Sequence, residues 1–513
     1  MQTNTSNQTN AIEKVVIVGG GSAGWMAASA LANHLPKNVS VNLVESDQIA
    51  TVGVGEATIP AIRTFNEGLG IDEAEFMRET NATFKLSIRF ENWGKVGDAY
   101  NHAFGFYGYP INGVPFHNYW LKMKNHQNVG SFGEYNLANR SCELNKFAQR
   151  QFDPSAPDSR YFYAFQFDAG LYAKYLRKYS EARGVKRTEG KVQTVSQDNE
   201  TGFIKSITLD SGEEIHGDIF IDCTGFRALL IEQSLKVGYT DWSHWLPVNR
   251  AWAVSSTYPS TDSTIPPYTR ARALTAGWQW RIPLQNRTGD GNVFCNSYIS
   301  EQDALDQFIE NIEGEPINDP RLIKFTTGKR NRLWEKNCVA IGLSAGFLEP
   351  LESTSIYLIQ AAILQLIRSF PTKEFNQVNA NEFNRQMDYR YEDARNFLIL
   401  HYHATEREDT EFWKYCKNMT IPEELKRRML LFKECGIISG NKLDLFSEPS
   451  WLAVYTGQGI YPQNFDHRVN KIEESNILQY LDKMKSDIDS ALTKIPSHNE
   501  TLANYCKGEL IGK

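Results

Sequence analysis

Lys14-Val15-Val16-Ile17-Val18-Gly19-Gly20-Gly21-Ser22-Ala23-Gly24 is the stretch that decides the fold of this chain. Val15 to Val18 are β-branched without a break, which suits a short buried strand, and Trp25 to Leu31 after the glycines has helical character. GxGxxG between a strand and a helix is a dinucleotide-binding turn. Gly19 permits the tight turn, Gly21 lets the backbone reach a pyrophosphate, and Gly24 lets helix and strand pack closely. Ser22 and Ala23 open the helix, whose N-terminal N–H groups then face the phosphates. A second strand, Val41-Asn42-Leu43-Val44, ends at Glu45, 21 residues after Gly24. A carboxylate there accepts hydrogen bonds from ribose hydroxyls and repels a 2′-phosphate, so FAD or NAD fits better than NADP.

FAD over NAD is favoured further along. Ile207-Thr208-Leu209, the turn Asp210-Ser211-Gly212 and Ile215 read as a hairpin, and Asp218 to Gly225 as a buried strand ending in Thr-Gly. This strand, and the amphipathic Phe167 to Leu176 before the Gly184-Val185 turn, are similar to elements of FAD-dependent monooxygenase-like proteins. The expected fold class is α/β: a Rossmann-type FAD-binding core of the GR2-like, FAD monooxygenase-like kind, with a largely helical substrate lobe added. No CxxxxC follows the first glycine loop and no second GxGxxG offers a place for NADPH, which speaks against a disulfide reductase and against self-reduction of the flavin.

Composition bounds the rest. With 513 residues, 41% hydrophobic, the chain is expected to bury a large core in two or more units. The net charge of -7 and the lack of a basic patch argue against a nucleic-acid partner. Met1 to Asn10 lacks the apolar run of a secretory signal, and the longest apolar stretch, Ile356 to Ile367, is interrupted by Gln360 and Gln365 and too short for a bilayer. A soluble, cytoplasmic protein without membrane contact is expected. The seven cysteines are scattered without CxxC spacing and read as reduced thiols, with no metal site. From about Phe375 charged, helix-like segments take over. The expected division is a core over 1–375, with an insert over 95–160 that contributes to the substrate site, and a helical lobe over 376–513.

Four further segments carry the chemistry. Gly277 to Pro283 places Trp278 and Trp280 at period two, on one face of a strand that Pro283 ends; a core strand with large aromatics is one reading. Asn81 to Phe90 alternates, with Phe84, Leu86, Ile88 and Phe90 on one face and Lys85, Ser87 and Arg89 on the other, so the pattern alone makes Lys85 a solvated strand lysine. Gly53 and Gly55, in Val52 to Pro60, allow a flat ligand to approach the backbone. Ser344 to Tyr357 puts Glu352 near a helix N-terminus, where ordinary capping would also explain it.

Taken together, WxWxIP at Trp278, Trp280, Ile282 and Pro283, GxGExTxP at Gly53 to Pro60, FxEPLEST at Phe347 to Thr354 and HxFG at His102 to Gly105 resemble the tryptophan-halogenase family of flavin-dependent halogenases. The resemblance runs from residue 14 to about 465. It implies that reduced FAD, delivered by a separate NADH-dependent flavin reductase, reacts with oxygen and a halide, bromide or chloride, and that the hypohalous acid formed passes through the protein to Lys85. By the same resemblance Lys85 and Glu352 are catalytic, and Gly55, Glu56, Ala57, Thr58, Ser344, Leu351 and Ser353 join Gly19, Gly21, Ser22, Ala23, Gly24 and Glu45 around the cofactor. Thr354 and Ser355 are the halide donors, Ser353 links the flavin and substrate sites, and His102 and Phe104 stack on the aromatic substrate. Trp278 and Trp280 keep that substrate from the flavin. Lys85 acts either as an ammonium that hydrogen-bonds hypohalous acid or as a neutral amine that is halogenated, and both readings stand.

Family members that bind free tryptophan hold it with a tyrosine pair and an acid in the helical lobe. Over Ser447 to Pro462 the adjacent tyrosines are missing and Gly457-Gln458-Gly459 replaces the acid. The expected substrate is therefore indole or another electron-rich aromatic without the amino-acid head group. Trp451 and Tyr455 either line its pocket or pack in the core. A homodimer is one candidate assembly. The competing readings are a single-component-like FAD monooxygenase, which hydroxylates or epoxidises an aromatic without needing Lys85 and Glu352, and a flavin-binding protein without turnover.

Overall fold

The computed structural model describes residues 10–48, 55–126, 128–149 and 161–506. The glycine loop lies where the sequence places it. Strand Lys14–Val18 sits inside a six-stranded sheet in the order Trp334–Glu335, Cys338–Ala340, Ile219–Asp222, Lys14–Val18, Ser40–Glu45, Lys186–Glu189. All neighbours are parallel except the hairpin Trp334–Glu335 with Cys338–Ala340. A buried parallel sheet calls for apolar residues on both faces, which is why Val15, Val16, Ile17 and Val18 can be apolar in succession. Helix Ser22–His34 leaves the loop and packs on helices Ala169–Glu181 and Ser355–Arg368. The expected hairpin is a three-stranded antiparallel meander, Val192–Gln197, Ile204–Leu209 and Glu214–His216, that feeds Ile219–Asp222 into the parallel sheet. This is the expected α/β, FAD-binding Rossmann-type architecture.

A second, seven-stranded sheet runs Arg321–Lys324, Arg250–Ser256, Thr288–Phe294, Gly277–Pro283, Tyr268–Ala273, Ser87–Glu91, Ala99–Ala103. The tryptophan strand lies at its centre with all seven residues buried. Trp280 pairs with Gly291, and a Cβ on that glycine would fall 2.0 Å from the indole, so the missing side chain is the space the ring fills.

The alternating segment 81–90 is not one half-solvated strand. It breaks at Leu86 into Thr83–Lys85, which pairs with Ala164–Phe167 in a small sheet, and Ser87–Glu91, which belongs to the wide sheet. Both faces are covered, so Lys85 and Ser87 are as buried as Phe84 and Leu86. The physical cause lies far along the chain. Phe84 stacks on Phe147 with centroids 3.9 Å apart and meets His498 and Tyr505, while Lys85 meets Ser353.

Helices Gln377–His403, Glu411–Asn418, Glu423–Cys435 and Glu448–Gly457 form the helical part, followed by Glu474–Lys494 and His498–Tyr505. No helix of the described residues is long and apolar enough to cross a membrane. The seven cysteines are unpaired; six are buried and Cys435 is exposed.

Candidate active site

Three distant segments converge on Lys85. Its Nζ donates to the Thr58 carbonyl at 3.0 Å and to Ser353 Oγ at 2.7 Å, and lies 5.6 Å from the centre of the Phe104 ring. Thr58 is anchored in turn: its amide and its hydroxyl both donate to the Phe165 carbonyl, at 3.0 and 2.7 Å. Thr83 Oγ1 donates to the Pro283 carbonyl at 2.6 Å, which ties the lysine strand to the end of the tryptophan strand. Burial lowers the Lys85 amine to about 7, with the charge of Glu352 pulling the other way.

Glu352 ends the turn Pro350–Glu352. His102 Nδ1 lies 3.0 and 2.9 Å from its two carboxylate oxygens, and His401 Nε2, from the lobe helix, lies 2.8 Å from Oε1. Burial alone would raise this carboxyl, but the charges and hydrogen bonds of His102 and His401 outweigh it and hold the group at about 2. Glu349, three residues earlier in the same segment, has no cation beside it, and burial raises it to about 7. Its Oε2 accepts the Tyr402 hydroxyl at 2.8 Å and the Trp278 indole N–H at 3.4 Å. One short segment thus carries two buried carboxyls with opposite shifts, a pattern that separates a base from an acid.

Ser353 follows in the left-handed region, φ 58°, a strained place for a residue with a side chain. That backbone aims its hydroxyl at Lys85. Thr354 then starts helix Ser355–Arg368, and no side chain caps that end; Thr354 Oγ1 is buried with no partner among the described residues. The free N–H groups of a helix start suit a small anion, which is the role the family resemblance assigns to Thr354 and Ser355.

The glycine loop is shaped for FAD. Gly19 has φ 110° and a Cβ there would fall 2.3 Å from the Cys223 carbonyl oxygen, whereas a Cβ on Gly21 would meet no atom within 4 Å, so the space beside it is open. No side chain caps helix Ser22–His34, so its N–H groups are left for phosphate. Glu45 is held at the strand end by Arg187 Nε at 2.7 Å. Ser344 lies behind this site with its hydroxyl donating to the Asp222 carbonyl. Leu351 and Ala57 are buried and Glu56 is raised to about 7 by burial. Val52, Gly53 and Val54 lie outside the described residues.

The expected aromatic pocket is rearranged. His102, read as a stacking partner, has its Nδ1 on Glu352. Phe104 does line a cavity, about 630 Å³ counting its open mouth, whose other walls include Tyr135, Tyr161, Met484 and Ile488. Trp451 and Tyr455 do not reach it: Trp451 packs on Phe397 and donates to the Phe446 carbonyl, and Tyr455 stacks on Phe432 at 4.3 Å. Sequence reasoning missed His401, which with His403 lacks companions at metal spacing; its partners come from strands and turns hundreds of residues or a whole helix away, so no local spacing marks it. Helix Glu474–Lys494 falls within the expected helical lobe, but its place in the cavity wall, through Met484 and Ile488, carries no sequence signal.

A Rossmann-type glycine loop joined to a wide mixed sheet, with a buried lysine and a histidine-held glutamate beyond it, defines an FAD-dependent oxidoreductase that carries its substrate chemistry away from the nucleotide loop. The tryptophan halogenase family model matches residues 14–474, and the chain belongs to that family. Tryptophan 6-halogenase SttH from Streptomyces toxytricini is 38% identical over 442 residues, 82% of this chain and 84% of that protein. Among solved structures, the flavin-dependent halogenase Xcc4156 from Xanthomonas campestris superposes with a TM-score of 0.93 at 44% identity, covering 98% of this chain and all of that one (100%). BrvH, a flavin-dependent halogenase from Brevundimonas sp. BAL3, gives 0.93 at 41% identity, over 96% and 99%. The chain is a flavin-dependent halogenase, an oxidoreductase that uses FAD, a halide and oxygen and requires a separate flavin reductase.

Proposed function

We propose that this enzyme halogenates an electron-rich aromatic of indole type, without the head group of free tryptophan, with Lys85 receiving the hypohalous acid and Glu352 taking the ring proton. The observation that carries this reading is the buried amine of Lys85, set between the Thr58 carbonyl and Ser353 Oγ with its nitrogen lowered to about 7. Two of its hydrogens serve those two acceptors. What is left on nitrogen is a third N–H when Lys85 is charged, able to polarise hypohalous acid, or a lone pair when it is neutral, able to take the halogen. Near neutral pH both forms are populated. Phe104 against the amine brings an aromatic wall to the place where the halogen waits.

FAD, held by the loop at Gly19 to Gly24 and by Glu45, supplies the oxidation of halide when bound; the residues around Lys85 supply position and dryness. Thr354 and Ser355 would bind the halide through the helix start. Glu352, ionised and aimed by two imidazoles, is a base for a ring carbon that carries both hydrogen and halogen. The indole-type substrate is supported by the rings that Phe104, Phe106, Tyr135 and Tyr161 bring to the cavity, beside the polar Asn136 and Asp487, and by Gln458, which donates to the Tyr100 hydroxyl and the His401 carbonyl, both at 3.1 Å, instead of offering a charge to an amino acid. The same reading takes the enzyme to be cytoplasmic, where NADH and a reductase provide reduced flavin.

The test supplies flavin reductase, NADH, FAD and oxygen with bromide or chloride, and compares indole with tryptophan by product mass. Halogenated indole is expected, lost in Lys85→Ala and Glu352→Gln. Hydroxylated product that survives Lys85→Ala would replace this reading with a monooxygenase, and a clear preference for tryptophan would overturn the substrate assignment.

A further inference from the structure

His401 is wholly buried in the last turn of helix Gln377–His403, where that helix faces the catalytic turn. Its Nδ1 lies 2.8 Å from the Phe397 carbonyl, one helical turn back. A carbonyl only accepts, so Nδ1 carries hydrogen. The ring's other nitrogen, Nε2, reaches Glu352 Oε1 at 2.8 Å, in a contact that is short but lacks the alignment of a straight hydrogen bond. At that distance a bare nitrogen lone pair would oppose a carboxylate oxygen. A proton between the two atoms relieves that opposition: either His401 is an imidazolium beside an ionised Glu352, or His401 is neutral beside a protonated Glu352.

The rest of the site decides between the two. His102 Nδ1 sits against both oxygens of Glu352, an arrangement made for an ionised carboxylate that accepts on each oxygen. A protonated acid would give up one of those two acceptor oxygens. Apart from the two histidines, the titratable groups near Glu352 are Lys85, whose amine feels its charge, and Tyr100, whose phenol burial raises far and the charge of Glu352 raises further. Lys85 gives its hydrogens to Thr58 and Ser353 and none to Glu352. The charge that balances this glutamate therefore comes from the two imidazoles, His102 and, from the lobe helix, His401. Aromatic neighbours fix the ring in this place: it lies 4.8 Å from Phe90, 6.1 Å from Trp93 and 5.0 Å from Phe397, centre to centre, which leaves it no room to turn away.

We propose that His401 is a positioning residue of the halogenation reaction: as an imidazolium on Glu352 it keeps that carboxylate ionised and pointed, so that Glu352 is ready as base. The proposal rests on the assignment of Glu352 and Lys85 made above. In the step it serves, the ring carbon forms its bond to halogen, the electron pair of the oxygen–halogen or nitrogen–halogen bond stays on oxygen or nitrogen, the C–H bond breaks, its pair returns to the ring and its proton goes to Glu352. Glu352 then passes that proton to the oxygen or nitrogen that kept the pair, so hypohalous acid plus arene yields haloarene plus water. A desolvated base without a cation would be protonated and idle, since burial by itself favours the uncharged acid.

The measurement uses the whole enzyme and the variants His401→Phe, which removes the cation and keeps a ring, and His401→Gln, which keeps a donor without charge. Infrared difference spectra taken on lowering the pH from about 8 to about 6 are read for the carboxylic-acid C=O stretch, with Glu352→Gln in each background to identify the band. A new Glu352 acid band in His401→Phe at the lower pH, absent in wild type, and an acid limb of kcat moved by at least about one pH unit toward neutrality with KM for the arene within about threefold, are the expected results. His401→Gln should fall between the two. An acid limb and band identical to wild type in a folded His401→Phe overturns the proposal; should that variant not fold, the same comparison in His401→Gln decides. Loss of the Glu352 assignment would show separately, as halogenation that persists in Glu352→Gln.

Discussion

His498 offers a prediction that links the end of the chain to Lys85. The residue is wholly buried at the start of helix His498–Tyr505; its Nδ1 donates to the Ile265 carbonyl at 2.8 Å, and its Nε2 accepts the Phe84 amide at 3.3 Å. Phe84 immediately precedes Lys85. Only the neutral ring can make both bonds, and burial lowers this imidazole from its ordinary 6.5 to about 4. The move from 6.5 to about 4 is worth roughly 3.5 kcal/mol. The sign follows from which state binds the proton first. The unfolded chain does, so the contribution is complete above about pH 6.5, declines as pH falls and is spent below about 4. Denaturant unfolding of wild type and His498→Gln, which keeps a donor and an acceptor but does not titrate, should give free energies whose difference narrows by about 2 to 3 kcal/mol between about pH 7.5 and about pH 4.5. Other titrating groups cancel in that difference. Hydrogen exchange of peptides spanning Phe84 should lose protection over the same range. A difference that stays constant with pH would refute the neutral, doubly bonded histidine.

Three more outcomes are expected. NMR of enzyme with 13C-labelled lysine should show one Cε signal, assigned by Lys85→Arg, titrating near about 7, far below the ordinary 10.5; a titration at the ordinary value would contradict its burial between Thr58 and Ser353. Gly291→Ala should destabilise the fold by about 1 to 3 kcal/mol because its methyl meets the Trp280 indole, and by denaturant unfolding the same substitution made in a Trp280→Ala background should cost only a small part of that, against an equal cost in both backgrounds if the ring is not the obstacle. Ser353→Gly should relieve the left-handed backbone, leaving unfolding free energy equal or up to about 1 kcal/mol higher, while halogenated product per turnover of reduced flavin falls about tenfold because Lys85 loses its Oγ partner; unchanged yield would remove Ser353 from the site.

The cofactor half of the molecule was legible because its signals are local. A β-branched run, three glycines and an acid at the next strand end lie within about 32 residues, and each acts through backbone geometry that neighbours in sequence impose. The tryptophan strand was legible for the same reason, since period two fixes that Trp278 and Trp280 share a face, and their rings do lie 6.1 Å apart. What the period could not tell is that the face is sealed, with Trp278 bonded to Glu349 and Tyr402 sharing that carboxylate.

The catalytic half was legible only in part. Alternation over 81–90 described the apolar side of Lys85 correctly and its polar side wrongly, because what covers a second face is supplied by other parts of the chain. Phe84 is covered by the last helix, which carries no motif, and Glu352 is charged by His401, whose neighbours in sequence are ordinary helix residues. The aromatic residues Trp451 and Tyr455 look in sequence like pocket walls, yet their rings are spent on Phe397 and Phe432.

The parallel FAD-binding core and the family follow from the amino-acid sequence alone, and the sequence also nominates the pair Lys85 and Glu352, because glycine loops, strand periods and motifs are written in consecutive residues. The protonation state of that pair follows only from the folded chain. Whether Lys85 titrates near about 7 and Glu352 near about 2 depends on water being excluded and on which charges stand within about 3 Å, and these are set by residues brought from positions 58, 102, 353 and 401.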